Sequence, residues 1–219
     1  MTLTQVRRGI IGMLKQLFDK YNCDKARKHH YHLIYEAEFE ALREEPLNIL
    51  EVGVFRGEST SAWVDYFPNA TIYGLDIFTR VKMTDIPILR HKRVKALRGD
   101  STNVTIGREI EKKWPWAKFD IIIDDGLHTP RANADTFTNL ISLMKPDGAF
   151  YIEDAWPLDK MTTEQLRHPW IVKHPERYNA LEMEYFLGKV DNGNYCIERF
   201  DNRKLSGEPD SYIFKVTNA

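Results

Sequence analysis

The chain has 219 residues, 42% hydrophobic and 29% charged, with a formal net charge of −1 at pH 7. That length fills one domain with room for an added arm; the near-neutral balance argues against bulk nucleic-acid binding, and no apolar run approaches the ~20 residues that span a bilayer. Cys23 and Cys196 are too few and too far apart for a disulfide framework or a cysteine-based zinc site; with no secretory signal around Arg7, Arg8, Lys15 and Lys20, a cytoplasmic setting is expected.

Residues 1–45 read as a helical amino-terminal arm. Ile10, Ile11, Leu14, Leu17 and Phe18 recur at helical spacing, as do Leu33, Ile34, Ala37, Phe39 and Leu42. The joint from Tyr21 to His32 is polar, aromatic and rich in histidine, suited to a lid over the loop that follows. His29, His30 and His32 have no partner at ligand spacing and read as surface histidines of a flexible arm.

After Pro46 strands and helices alternate. Leu47–Val52 is strand-like and runs through Gly53 and Gly57 into a helix over Glu58–Tyr66, ended near Pro68. A strand entering a helix through glycines points backbone N–H groups and the helix dipole into one concavity that a ligand can approach closely. The spacing, Glu51-x-Gly53-x-x-x-Gly57, differs from the Gly-x-Gly-x-x-Gly that holds a pyrophosphate. Thr71–Asp76 is a second strand and Val94–Leu97 a third, followed by Gly99-Asp100-Ser101. The basic cluster Arg90, His91, Lys92, Arg93, Lys95 and Arg98 reads as a solvated face. Asn103–Lys113 is helical, Phe119–Asp124 is the most strand-like run, and a helix opening at Pro130 carries Ala134, Phe137, Leu140, Ile141 and Met144 along one face. Lys145-Pro-Asp-Gly148 stops that helix, and Ala149–Ile152 is the next strand.

Strands separated by helices pair in parallel through right-handed crossovers. The last two strand-like runs, Tyr195–Phe200 and Ser211–Val216, have no helix between them and should pair antiparallel. The expectation is one domain over 1–219, an α/β Rossmann-like doubly wound sheet over 46–219, mostly parallel with a carboxyl-terminal antiparallel strand pair. In such sheets ligands bind beyond the carboxyl ends of the strands. Asp76, Asp100, Asp124 with Asp125, and Glu153 with Asp154 all fall at such ends.

Together these features resemble a class I S-adenosylmethionine-dependent methyltransferase, from about residue 20 to the end. Glu51, Gly53 and Gly57 resemble the motif that wraps the methionine end of S-adenosylmethionine; Asp76 resembles the acid that accepts both ribose hydroxyls, and Asp100 and Ser101 the segment beside the adenine. A more specific resemblance is to the metal-dependent sugar O-methyltransferases that modify macrolide antibiotics. Their Ile-Asp-Asp-Gly-Ser-His motif is matched by Ile123-Asp124-Asp125-Gly126-Leu127-His128, with Leu127 in place of Ser, and their Ile-Glu-Asp by Ile152-Glu153-Asp154. Asp24-Lys25 and His30-Tyr31 resemble their arm, with Cys23 where the family has Thr. The chain is short for that group, and an added assembly domain is expected to be absent.

Asp125, Glu153 and Asp154, on strand ends expected to be neighbours, repel unless a cation joins them or one keeps a proton. All-oxygen ligands suit Mg²⁺ or a similar hard ion. The resemblance implies methyl transfer to a hydroxyl of a small, sugar-like acceptor, with Asp125, Glu153 and Asp154 on the metal, His128 as base and Asp124 lining the methionine side. The residues leave three rivals open: a metal-free methyltransferase, a nicotinamide-dependent oxidoreductase and a non-catalytic binding module. Selection of the acceptor is assigned to residues 20–32 and to the segment from Trp156 to Lys189, where Trp156, Trp170, Tyr178 and Tyr185 read as core. No membrane or nucleic-acid partner is expected, and a homo-oligomer stays open.

Overall fold

The computed structural model describes residues 12–219, so the expected helical positions Ile10 and Ile11 and the basic residues Arg7 and Arg8 lie outside the described residues. The strands are β1 (Asn48–Val52), β2 (Thr71–Asp76), β3 (Val94–Arg98), β4 (Phe119–Asp124), β5 (Met144–Ile152), β6 (Tyr195–Asp201) and β7 (Tyr212–Asn218). They form one sheet in the order β3-β2-β1-β4-β5-β7-β6. The first five pair in parallel, and β7 enters antiparallel between β5 and β6. The order reverses between β1 and β4, so the crevice for a ligand opens above Val52 and Asp124, which are in register.

The central strands read as unbroken apolar runs because both faces are covered. Alternate residues of β1 enter opposite layers. Leu50 and Val52 join Ile122, Phe150 and Phe214 in one core, and Ile49 joins Ile72, Ile121, Ile123 and Tyr151 in the other. Among the described residues three α-helices come before β1: α1 (Met13–Lys20), α2 (Asp24–Arg27) and α3 (His32–Phe39). Then follow α4 (Glu58–Tyr66), α5 (Ile106–Lys113), α6 (Pro130–Leu140), α7 (Pro169–Lys173), α8 (Ala180–Val190) and the one-turn α9 (Arg203–Ser206). None is long and apolar enough to cross a membrane.

The arm is a foundation for the site, in place of the expected lid. Phe18, Tyr35 and Phe39 pack around the Trp63 indole of α4 with ring centroids 5.2, 5.4 and 6.0 Å away. All four are essentially buried, each such aromatic contributing ~1.5–3 kcal/mol on removal from water. His29 and His32 are therefore interior groups, 1% and 7% exposed, and not surface histidines.

Local differences from expectation have local causes. Met144 already pairs with Phe119 across a register shift, so β5 starts before the Lys-Pro-Asp-Gly turn. α6 accordingly ends at Leu140 in a 3-10 turn over Ile141–Leu143. The link between β6 and β7 does contain a helix, α9, but one turn is too short for a parallel crossover and the pair stays antiparallel. Within the basic cluster, Arg93 is structural: its guanidinium donates to the carbonyls of Val64, Phe67 and Ala70 at 2.6, 2.7 and 2.9 Å, satisfying the open carboxyl end of α4.

Candidate active site

The parallel register runs one step beyond the strands. Asp125 N–H donates to the Val52 carbonyl and Glu153 N–H to the Asp124 carbonyl, both at 2.9 Å, so the three loop starts are tied together. Gly53 has φ +89°, and a Cβ there would overlap the Asp125 carbonyl oxygen. Only glycine combines that backbone with that approach, so the first glycine turn rests directly on the Asp125 loop. Asp76 braces the same turn, accepting from the N–H of Phe55 at 2.9 Å and of Phe78 at 2.6 Å. Both donors sit at positive φ, 50° and 49°, strain that the carboxylate holds in place.

The other residues expected beside a cofactor are placed variously. Glu51 is fully buried, its oxygens engaged by Thr60 Oγ1 and by Trp63 Nε1, the latter at 2.9 Å; it anchors α4 and does not face the crevice. Asp100 is exposed and accepts from the N–H and hydroxyl of Thr102 at 2.9 and 2.7 Å, while the Ser101 hydroxyl lies 2.7 Å from that of Thr136. Asp124 accepts from Asn133 Nδ2 at 3.0 Å through one oxygen; the other, Oδ1, is buried without a partner. Burial pushes its carboxyl up to about 6 despite the Asn133 hydrogen bond.

Next to it, Asp125, His128 and Asp154 bring one ligand atom each within 4.8 Å of the others, the one such cluster among the described residues. His128 Nε2 lies 2.9 Å from Asp125 Oδ1 and its Nδ1 3.9 Å from Asp154 Oδ2. His128 and Asp154 reach this geometry through left-handed backbone, φ 58° and 49°.

Glu153 is placed otherwise than the sequence reading expects. Successive residues leave a strand on opposite faces, and Glu153 turns inward. Its Oε1 accepts from the Tyr35 hydroxyl at 2.5 Å and its Oε2 from the Lys25 ammonium. Lys25, 2% exposed, also reaches Asp125 Oδ2 at 2.5 Å. Tyr31 donates to Asp154 Oδ1 at 2.8 Å, and His29 Nδ1 lies 2.8 Å from Ser211 Oγ and 3.4 Å from Asp154. Every carboxylate of the cluster is thus held by a side chain of the arm. Sequence reasoning gave Lys25, Tyr31 and Tyr35 no role; the one available signal was the resemblance of Asp24-Lys25 and His30-Tyr31 to the family's arm.

The electrostatics follow. Burial opposes the charge on Asp125, but Lys25 and the His128 hydrogen bond outweigh it and hold the carboxyl well below the usual range. Burial pushes Glu153 up to about 8 against the pull of Lys25, and raises Asp154. Burial would lower His128, yet the Asp125 hydrogen bond and the Asp154 charge raise it to about 10. Glu51, Asp124, Asp125, Glu153 and Asp154 gather near Lys25 and His128, with His29 Nδ1 3.4 Å from Asp154, and burial raises all of these carboxyls but Asp125, leaving an excess of hard oxygen ligands over cations. That excess fits a divalent cation at Asp125 and Asp154; Glu153 can join only where Lys25 releases it.

No protein-family model matches the chain. Among curated relatives, it is 30% identical over 194 residues to the L-olivosyl-oleandolide 3-O-methyltransferase of Streptomyces antibioticus, covering 83% of this chain and 46% of that protein. It is 30% identical over 129 residues to the mycinamicin VI 2''-O-methyltransferase of Micromonospora griseorubida, covering 56% and 30%. The chain is a relative of the macrolide and sugar O-methyltransferases, on a class I methyltransferase fold. It spans less than half the length of these two relatives. Among solved structures, MycE methyltransferase in complex with Mg, SAH and mycinamycin VI matches 94% of this chain and 54% of that one, with a TM-score of 0.67 at 22% identity. SAH-bound PaMTH1 of Podospora anserina matches 97% and 90%, with a TM-score of 0.64 at 14% identity. At those identities the structural likeness speaks for the fold.

Proposed function

We propose that the protein transfers a methyl group from S-adenosylmethionine to a hydroxyl of a sugar-like small molecule. The observation that carries this reading is the convergence of Asp125, His128 and Asp154 at the switch point, against the glycine turn of a methyltransferase fold. Relatives named as sugar and macrolide O-methyltransferases support the reaction class. The turn from Gly53 to Gly57, braced by Asp76, forms the cofactor's cradle, with Asp100 and Ser101 on the adenine side. Asp124 Oδ1 is a buried acceptor without a donor, which supports its assignment to the methionine end. The solved MycE complex with Mg and SAH supports the same pair of ligands here.

Asp125 and Asp154 hold the divalent cation, which when bound acidifies a coordinated hydroxyl. Tyr31 fixes Asp154 and Lys25 fixes Asp125, so the arm sets the distance between the two ligands. With Asp125 and Asp154 charged and free, His128 is an imidazolium near neutral pH. When those carboxylates share their charge with a cation, it becomes the base, accepting the acceptor's proton at Nδ1 with Nε2 anchored on Asp125. The remaining contribution is alignment of hydroxyl and sulfonium methyl.

Two measurements test this. Calorimetric titration with S-adenosylhomocysteine should show saturable binding, and labelled methyl transfer to glycosides should stop under chelation and return with Mg²⁺. Absence of cofactor binding would sink the reading; a rate indifferent to chelation would select metal-free transfer.

A further inference from the structure

A cavity of about 450 Å³ lies between the β6–β7 link and the segment 164–169. Its walls connect to the acid cluster through intervening residues. Pro209 precedes Asp210, whose carbonyl accepts at 3.3 Å from the Tyr31 hydroxyl that also holds Asp154. On the other wall the His168 ring stands 5.2 Å from Trp156, two residues beyond Asp154. The glycine turn and Asp76 follow β1 and β2, whereas this cavity sits by β5, β7 and β6, across the cluster from the cofactor's cradle. It is therefore on the acceptor's side.

Its lining carries polar side chains of both signs, Glu164, Gln165, Arg167, His168, Arg203 and Glu208, beside Pro169, Gly207 and Pro209. Glu164, Arg167 and Glu208 have no ion-pair partner among the described residues. Arg203 spends Nε and Nη2 on Asp201 at 2.8 and 2.6 Å, leaving Nη1 buried without a partner. An apolar aglycone entering here would desolvate these groups without replacing their water. A lone anion would meet Glu164 and Glu208 as well as the arginines. Vicinal hydroxyls, each both donor and acceptor, satisfy carboxylates and guanidinium groups together, and the His168 ring offers a flat face.

We propose that this cavity is a subsite for a second sugar residue, so that the acceptor is an oligosaccharide chain and not a single sugar on an apolar aglycone. This rests on the methyl-transfer reading above. It is tested with labelled cofactor, Mg²⁺ and three acceptors: a methyl monosaccharide glycoside, the corresponding disaccharide glycoside, and the same monosaccharide on a long alkyl aglycone. Disaccharide binding is followed in parallel by saturation-transfer NMR, which needs no turnover. Wild type should favour the disaccharide over the methyl monosaccharide about tenfold or more in kcat/KM, mostly through KM, as two or three net hydrogen bonds provide. The Arg167→Ala/Glu208→Ala double variant should reduce that ratio below about threefold. A ratio near one in wild type, a greater gain from the alkyl aglycone, or a ratio unchanged in the variant overturns the subsite. Disaccharide binding that is lost in the variant, with no transfer to any acceptor, keeps the subsite and sinks the methyl-transfer reading; transfer to monosaccharide without disaccharide binding does the reverse.

Discussion

Lys25→Met tests whether the arm holds the site together. The substitution keeps most of the stem and removes an ammonium that is 2% exposed and joined to Asp125 and Glu153. The variant leaves two acids facing each other in the interior, and removing one partner of a buried ion pair costs ~3–5 kcal/mol. In a chain of this size that lowers the melting temperature by about 6–20 °C, and it should lower the urea midpoint at unchanged m-value. Tyr35→Phe, which removes one hydrogen bond from Glu153, should cost less, ~1–3 kcal/mol. Because the lost charge is positive, Mn²⁺ should restore more stability to Lys25→Met than it adds to wild type. A metal-free Lys25→Met within ~1 kcal/mol of wild type would refute the buried-ammonium account, since a charge paired in the interior cannot be removed so cheaply.

Three further outcomes follow from the geometry. Gly53→Ala should weaken S-adenosylhomocysteine binding at least about tenfold by calorimetry and cost ~1–3 kcal/mol of stability, because φ +89° and the Asp125 carbonyl both oppose a Cβ. Asp125→Asn should abolish methyl transfer while changing the cofactor's Kd less than about threefold; retained turnover would remove Asp125 from the mechanism. Burial, then repulsion from His30 and Lys15, lowers His32 from 6.5 to about 4. As pH falls through that window the unfolded chain gains the proton and the folded one does not. His32 therefore reduces stability by up to about 2 kcal/mol at pH 5 relative to pH 7. His32→Gln should flatten the denaturation midpoint over that range, and an unaltered slope would contradict the assignment.

The glycine turn and the row of acids could be read from sequence because each belongs to a local strand-to-helix unit. Gly53 and Gly57 interrupt an apolar run, and in a parallel sheet every such run ends on the same side, so Asp76, Asp125 and Asp154 had to gather there. Whether Glu153 or Asp154 would meet His128 was not legible. Adjacent residues leave a strand on opposite faces, and the outcome turned on a left-handed backbone at Asp154, φ 49°. Glu51 was misplaced because its partners Thr60 and Trp63 sit on the next helix, and an acid at a strand end looks alike whether it meets a ligand or an indole.

By itself the sequence determined the alternation of elements, the mostly parallel sheet with its antiparallel close, and the acids at its carboxyl edge, since each follows from periodicity and turn chemistry within a few residues. Only the tertiary structure decided that Lys25, His29 and His32 of the arm are interior. Lys25 meets Asp125 and Glu153 across 100 and 128 residues. Nothing local marks such a pair, because what drives that lysine inward is the field of carboxylates gathered by folding.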